Sequence, residues 1–167
     1  MPYDTKAVAN YFIDYAEQNG ESLTPMKLQK LIYFAHGWHL ALTDGEKLIN
    51  EMVEAWDYGP VIPSLYNEFR EFGRYPITRK AKHSSFRGTK LISEEPYLPD
   101  EANFAKELLK KIWDVYGGYN GVQLSNMTHE NGSPWYQITQ QFPNGIPKNL
   151  DLPDNLIQDY FTRQMEE

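Results

Sequence analysis

The chain has 167 residues, no cysteine and a formal net charge of −7. Without cysteine there are no disulfides, thiolate metal ligands or cysteine nucleophiles, and the acidic balance disfavours general attraction to phosphate backbones. No apolar run reaches the roughly 20 residues that span a bilayer, and the opening MPYDTKAVANYF reads as helix and not as a leader, so a cytoplasmic protein without membrane association is expected.

This length is about one domain's worth of chain. Asp4 is placed to cap a first helix to about Gln18, with Val8, Phe12 and Tyr15 or Ala16 on its packing face and Gly20 as its stop. The second helix is TPMKLQKLIYFAHGWHLAL, residues 24–42, where Thr24 offers a cap and Pro25 sits where its missing N–H costs nothing. Its stripe is Leu28, Leu31, Ile32, Ala35, His39 and Leu42, yet Tyr33, Phe34, Gly37, Leu40 and Ala41 fall on the opposite side. Only Lys27, Gln29 and Lys30 look suited to water. A helix apolar all round needs two covering layers, so it is either central to the domain or covered on one side by a partner.

KLINEMVEAWDYG, beginning at Lys47, reads as extended structure, with a small hairpin around INE and a break at Gly59 and Pro60. VIPSLYNEFREFG resumes a helical period, with Leu65, Phe69 and Phe72 on one stripe. Two short strands are expected near Ile77 and Leu91, around the basic stretch RKAKHSSFRGTK at 79–90, which is a solvated loop or a contact with an acidic partner. A helix from about Pro99 to Tyr116 follows, packing through Phe104, Leu108, Ile112 and Val115. Asn120 can cap a short helix carrying Leu124 and Met127, and Ser133 with Pro134 repeats the cap-then-proline start of Thr24 and Pro25. An acidic amphipathic segment closes the chain at about 153–165. The expectation is a mainly α (α+β) single domain over 1–167, with a small antiparallel β element and a core drawn from about 5–140.

Chemistry has few candidates. His36 and His39 are three apart on one helix and could share a metal if His83, His129 or Glu54 supplied a third ligand, but no spacing selects one. The simpler reading makes His39 a core histidine with a backbone partner and leaves His36 partly exposed. SNMTHE brings Ser125, Thr128, His129 and Glu130 together, the residue types of an acid–base relay. Four polar neighbours on one short helix are more often caps and surface groups. No P-loop, dinucleotide glycine fingerprint or zinc-protease pair is present, and the basic residues do not interleave with aromatics as a nucleic-acid groove requires. No catalytic residue, cofactor, metal or specific nucleic-acid contact is therefore expected. What stands out is a set of amphipathic aromatics near turns: Tyr33, Trp38, Trp56, Tyr58, Trp135 and Tyr136. They are either core or a partner surface.

Three segments, LTPMKLQKLIYFAHGWHLAL, EAWDYGPVIPSLYNEF and LSNMTHENGSPW, resemble in content and order the signatures of the Panacea domain family, the SocA-like antitoxin domains of bacteria and phages. The resemblance implies a module that neutralises a cognate toxin by direct binding. Adaptor action, presenting the toxin to an AAA+ protease, and capture of a host factor by a phage-encoded protein are the alternatives, and a metal-dependent hydrolase resting on His36, His39, His129 and Glu130 is the less favoured one. It also implies that Leu28, Leu31, Tyr33, Phe34, Gly37 and Trp38 belong to the first signature, Trp56, Tyr58, Gly59 and Pro60 to the second, and Ser133, Pro134 and Trp135 to the third. Within that set, Leu28 and Leu31 are assigned to the core, Gly59 and Pro60 to a turn, and Ser133 and Pro134 to a helix start. Tyr33, Trp38, Trp56 and Tyr58 are the expected partner-binding residues. The resemblance also implies that many relatives carry an additional DNA-binding or other domain, and none is expected within these 167 residues.

Overall fold

The computed structural model describes residues 1–167. Its helices are α1 (Thr5–Gln18), α2 (Pro25–Leu42), α3 (Pro63–Phe69), α4 (Asn103–Tyr116), α5 (Gly121–Thr128), α6 (Pro134–Thr139) and α7 (Asp154–Glu166). Its strands are β1 (Val53–Trp56), β2 (Gly59–Val61), β3 (His83–Arg87), β4 (Lys90–Glu94) and β5 (Asp151–Leu152). The fold is α+β with antiparallel sheets, as the sequence implied.

Helix α2 is the axis. Helices α1, α3, α4, α5 and α7 and strand β2 all pack on it, so its all-round apolar surface is covered from within the chain. Its start is local chemistry: Thr24 Oγ1 accepts the Lys27 N–H and Pro25 occupies the first turn. Leu28, Leu31, Ile32 and Ala35 are buried as expected, whereas Leu42 is exposed at the last turn. Gln29 and Lys30, read as water-facing, are instead buried.

The C-terminal helix completes the α2 environment. Phe161 on α7 lies over Gly37, where an added Cβ would come within 2.2 Å of the ring. Trp38, Phe34, Tyr33 and Tyr160 surround the same ring edge-on, so it has nowhere to retreat. Helix α4 turns a different face to the core from the one its periodicity suggested: Ala105, Leu108, Leu109, Ile112 and Tyr116 are buried, and Phe104 and Val115 are exposed.

The first hairpin turns at Asp57–Tyr58, not at INE; Ile49 instead makes an isolated parallel bridge to Tyr3. Gly59 and Pro60 do not break the strand but form β2, in a sheet ordered β2-β1-β5. The basic stretch is likewise not a loop. It contains β3 and the turn into β4, while Ile77 lies outside any strand.

Gly37→Ala should destabilise the fold by about 1–3 kcal/mol, the usual cost of overpacking. Pairing it with Phe161→Leu should recover part of that loss beyond additivity, as read by urea denaturation of the four proteins in a double-mutant cycle.

Candidate functional site

The three signature segments meet at the β1–β2 hairpin. Trp56 and Gly59 flank its two-residue turn as a hydrogen-bonded pair, so Ala55 and Pro60 form the next, non-hydrogen-bonded pair. The backbone groups of Pro60 and Ile62 therefore face away from β1, toward α2. An exposed strand edge of this kind ordinarily invites a further strand. Here side chains close it. Pro60 has no N–H to satisfy, and its carbonyl accepts from Lys30 Nζ at 2.9 Å. Gln29 bonds Ile62 as a neighbouring strand would, its Nε2 donating to the Ile62 carbonyl at 3.0 Å and its Oε1 accepting the Ile62 N–H at 2.9 Å.

Helices α5 and α6 hold the turn from the other side. Ser125 Oγ donates to the Tyr58 carbonyl at 2.8 Å, and Trp135 Nε1 donates to the Trp56 carbonyl at 2.6 Å. His129 Nδ1 lies 2.6 Å from the Ser125 carbonyl, an acceptor only, so this nitrogen carries the hydrogen. The other ring nitrogen stands 3.4 Å from the Asp57 carbonyl, and the ring lies against Trp135. Ser133 caps α6 by accepting the Tyr136 N–H and ties back to the Thr128 carbonyl, fixing the helix that carries Trp135.

Gly59 has a φ of 108° and sits where these groups converge. A Cβ there would meet Thr128 Oγ1 at 2.6 Å and Lys30 Nζ at 3.1 Å. Its place in the second signature thus has a steric cause as well as a conformational one. Burial pushes the Lys30 ammonium down to about 7, because its charge is taken out of water with no carboxylate beside it.

Beside the hairpin lies a cleft of about 660 Å³ between the first turns of α2, where Gln29 and Lys30 line it, α3 and residues 146–149. Trp56 is half-buried at its rim, with Nε1 donating to Glu54 Oε1 at 3.0 Å and its ring edge-on to Tyr66 at 4.8 Å. Tyr58 is 71% exposed at the turn, and Met26, Val61 and Leu65 supply apolar lining.

The four aromatics expected to share a partner surface are separated. Trp56 and Tyr58 stand together at this cleft. Tyr33 is buried in the core against Phe34 and Phe161, and burial raises its phenol. Trp38 is half-buried on the α7 side, with Nε1 bonded to the Tyr116 hydroxyl at 2.9 Å. Tyr33 and Trp38 are thus taken up by their own chain, because α7 covers the face of α2 they occupy. Trp135 serves the hairpin backbone, and Tyr66 joins the cleft without having been singled out in the sequence. Its ordinary helical context in SLYNEF gives no sign of this.

The histidines also go separate ways. His39 is buried with Nδ1 2.7 Å from the Glu46 carbonyl, and desolvation lowers its pKa below the usual range despite that bond. His36 is fully buried, contrary to the expected partial exposure, with Nε2 2.9 Å from Asp154 Oδ1 at the start of α7. Burial alone would raise Asp154, but the hydrogen bond from His36 and the nearby Lys47 charge more than offset it, and its pKa is lowered. His83 pairs with Asp4 at the surface, and Glu54 is engaged by Trp56. No three His, Asp or Glu side chains are gathered where an ion could be held. Ser125, Thr128 and His129 are spent on backbone carbonyls, and Glu130 is exposed.

Lys30 gives the grip a pH signature. Its folded pKa lies below the unfolded value, so between about 7 and the onset of tyrosine ionisation the unfolded chain binds more protons than the folded one. Stability should therefore rise with pH across that window, by at most about 1.4 kcal/mol per pH unit. The rise should be shallower in Lys30→Met, with the remainder coming from Lys27, which burial also lowers, as measured by urea denaturation at a series of pH values.

The family described as "Antitoxin SocA-like, Panacea domain" matches residues 28–136, a span that begins in α2 and ends in α6. The chain is 33% identical over 162 residues to Antitoxin SocA of Caulobacter vibrioides (strain NA1000 / CB15N), covering 96% of this chain and 84% of that protein. No solved structure matches it. The match runs through all three segments that build the hairpin grip, and the chain belongs to the SocA-like, Panacea-domain family of antitoxins.

Proposed function

We propose that this chain neutralises a protein toxin by binding it directly, with the β1–β2 hairpin and its cleft as the contact surface. The observation that carries the reading is the arrangement at the hairpin: its backbone is held by Gln29, Lys30, Ser125 and Trp135, while the Trp56 and Tyr58 side chains line the open cleft beside it. A surface whose backbone is fixed before binding loses little conformational freedom on association, and aromatic side chains at such a surface supply large contact area with few rotatable bonds.

The mechanism is occlusion. The partner's active surface is covered by contact, and no group on this chain takes part in a reaction. The polar side chains that could have formed a relay are hydrogen-bonded to the hairpin backbone, which leaves them structural work instead. In the adaptor alternative the same contact would hand the toxin to an AAA+ protease.

Co-expression with the product of the neighbouring gene tests the reading. Wild-type protein should protect cells, and Trp56→Ala and Tyr58→Ala should each weaken binding of the purified toxin by about tenfold or more, the usual consequence of truncating an interface anchor. Tyr58→Ala should leave thermal unfolding almost unchanged, since this ring is mostly in solvent. Protection and affinity indifferent to both substitutions would place the contact elsewhere. Under occlusion, toxin half-life is the same with and without the protease.

A further inference from the structure

The two hairpins of this chain treat their edges in opposite ways. The outer edge of β2 is closed by Pro60, Lys30 and Gln29. The β3–β4 hairpin is left open. Its turn, Gly88–Thr89, joins Arg87 and Lys90 as a hydrogen-bonded pair, and Gly88 has the positive φ of 65° that a two-residue turn of this kind requires. Along β4 the backbone groups of Lys90, Ile92 and Glu94 therefore face β3, while those of Leu91 and Ser93 face outward. No other part of the chain takes up these outward groups.

The hairpin is firmly rooted even so. Buried Asn10 on α1 donates to the carbonyls of Ala81 and Pro96 and accepts the Ala81 N–H, pinning the chain just before β3 and just after β4. Glu68 accepts the Lys82 N–H as well. Beyond that root both strands stand in solvent, with Phe86 72% and Leu91 58% exposed on one face. An isolated two-stranded hairpin is marginal in water.

We infer that β4 is a self-recognition edge, at which two copies of this chain pair antiparallel about a two-fold axis through Ile92. The argument is one of register. Outward-facing groups must meet outward-facing groups, and the central pairing that does this sets Leu91 against Ser93 of the second copy, twice over, giving four backbone hydrogen bonds. The same register sets Lys90 against Glu94 of the second copy, also twice, and brings the two Ile92 side chains together at the axis. Lys90 and Glu94 have no ion-pair partner within their own chain. Self-pairing through β3 has no such complementarity, since it would set His83 against Arg87. The contact is small, so the dimer is a weak, reversible one. This inference does not rest on the antitoxin reading.

Sedimentation velocity over the micromolar range tests it with the full chain. The wild type should show a monomer–dimer equilibrium. Lys90→Glu or Glu94→Lys, each creating two like-charge pairs, should raise the dissociation constant on the order of tenfold. The combined exchange should restore it. Leu91→Pro removes an N–H that serves no bond inside the hairpin and should abolish the dimer, with slow amide exchange at Ile92 reporting that the hairpin persists. A chain monomeric throughout the range would overturn the inference, as would a dimer indifferent to both single charge changes. Protection of the Leu91 and Ser93 amides that appears only when toxin is added, without a dimer, would overturn it in favour of strand addition by the toxin.

Discussion

The structure depends on the side-chain closure of the β2 edge. A short two-stranded hairpin gains little stability alone, and its free edge would be a liability. Here Gln29 and Lys30 from α2, Ser125 from α5 and Trp135 from α6 each take a backbone carbonyl between Trp56 and Ile62. Elements distant in sequence are thereby locked to one turn. The three signatures are best understood as one device: the second supplies the backbone, and the first and third supply the hands that hold it. Gly59 is the point at which all three come too close for a side chain.

This device explains which parts of the fold could be read in advance. Helix starts were legible because their chemistry is local: the caps Thr24, Asn120 and Ser133 each satisfy an N–H group three residues on, and Gln123, not foreseen, completes a capping box with Asn120. The β2 strand was not legible, because Gly59 and Pro60 punctuate a chain by default. Proline is tolerated there only because its outward position has a carbonyl to offer and no donor to leave orphaned. Gln29 and Lys30 were assigned to water for a similar reason. Their partners lie some thirty residues away, and helical periodicity says nothing about a backbone that arrives later. The same limit applies to α4, where Tyr116 and Leu109 are buried and Phe104 and Val115 are not.

The expected site divides along the same line. Trp56 and Tyr58 flank or form a turn, and turns lie at surfaces. Tyr33 and Trp38 sit on a helix whose second covering layer comes from α7, and nothing local to α2 announces Phe161. Gly37 was the available signal. A glycine in mid-helix costs helix stability, and here it marks the close approach of another ring. A glycine flanked by aromatics on an apolar helix therefore argues for a packing partner from the same chain before it argues for a surface.

Burying Lys30 is costly in itself. A methionine of similar length would avoid desolvating an ammonium, yet it would leave the Pro60 carbonyl without a donor at a buried position, and an unpaired buried carbonyl costs about 1–3 kcal/mol. The lysine thus exchanges one penalty for another of comparable size and gains direction: a hydrogen bond fixes where the strand lies, whereas an apolar contact only brings it near. That trade makes sense for a strand whose turn must be held in one position. No comparable group reaches the edge of β4, and the chain that buries a lysine amine to close one edge leaves the other to an outside strand.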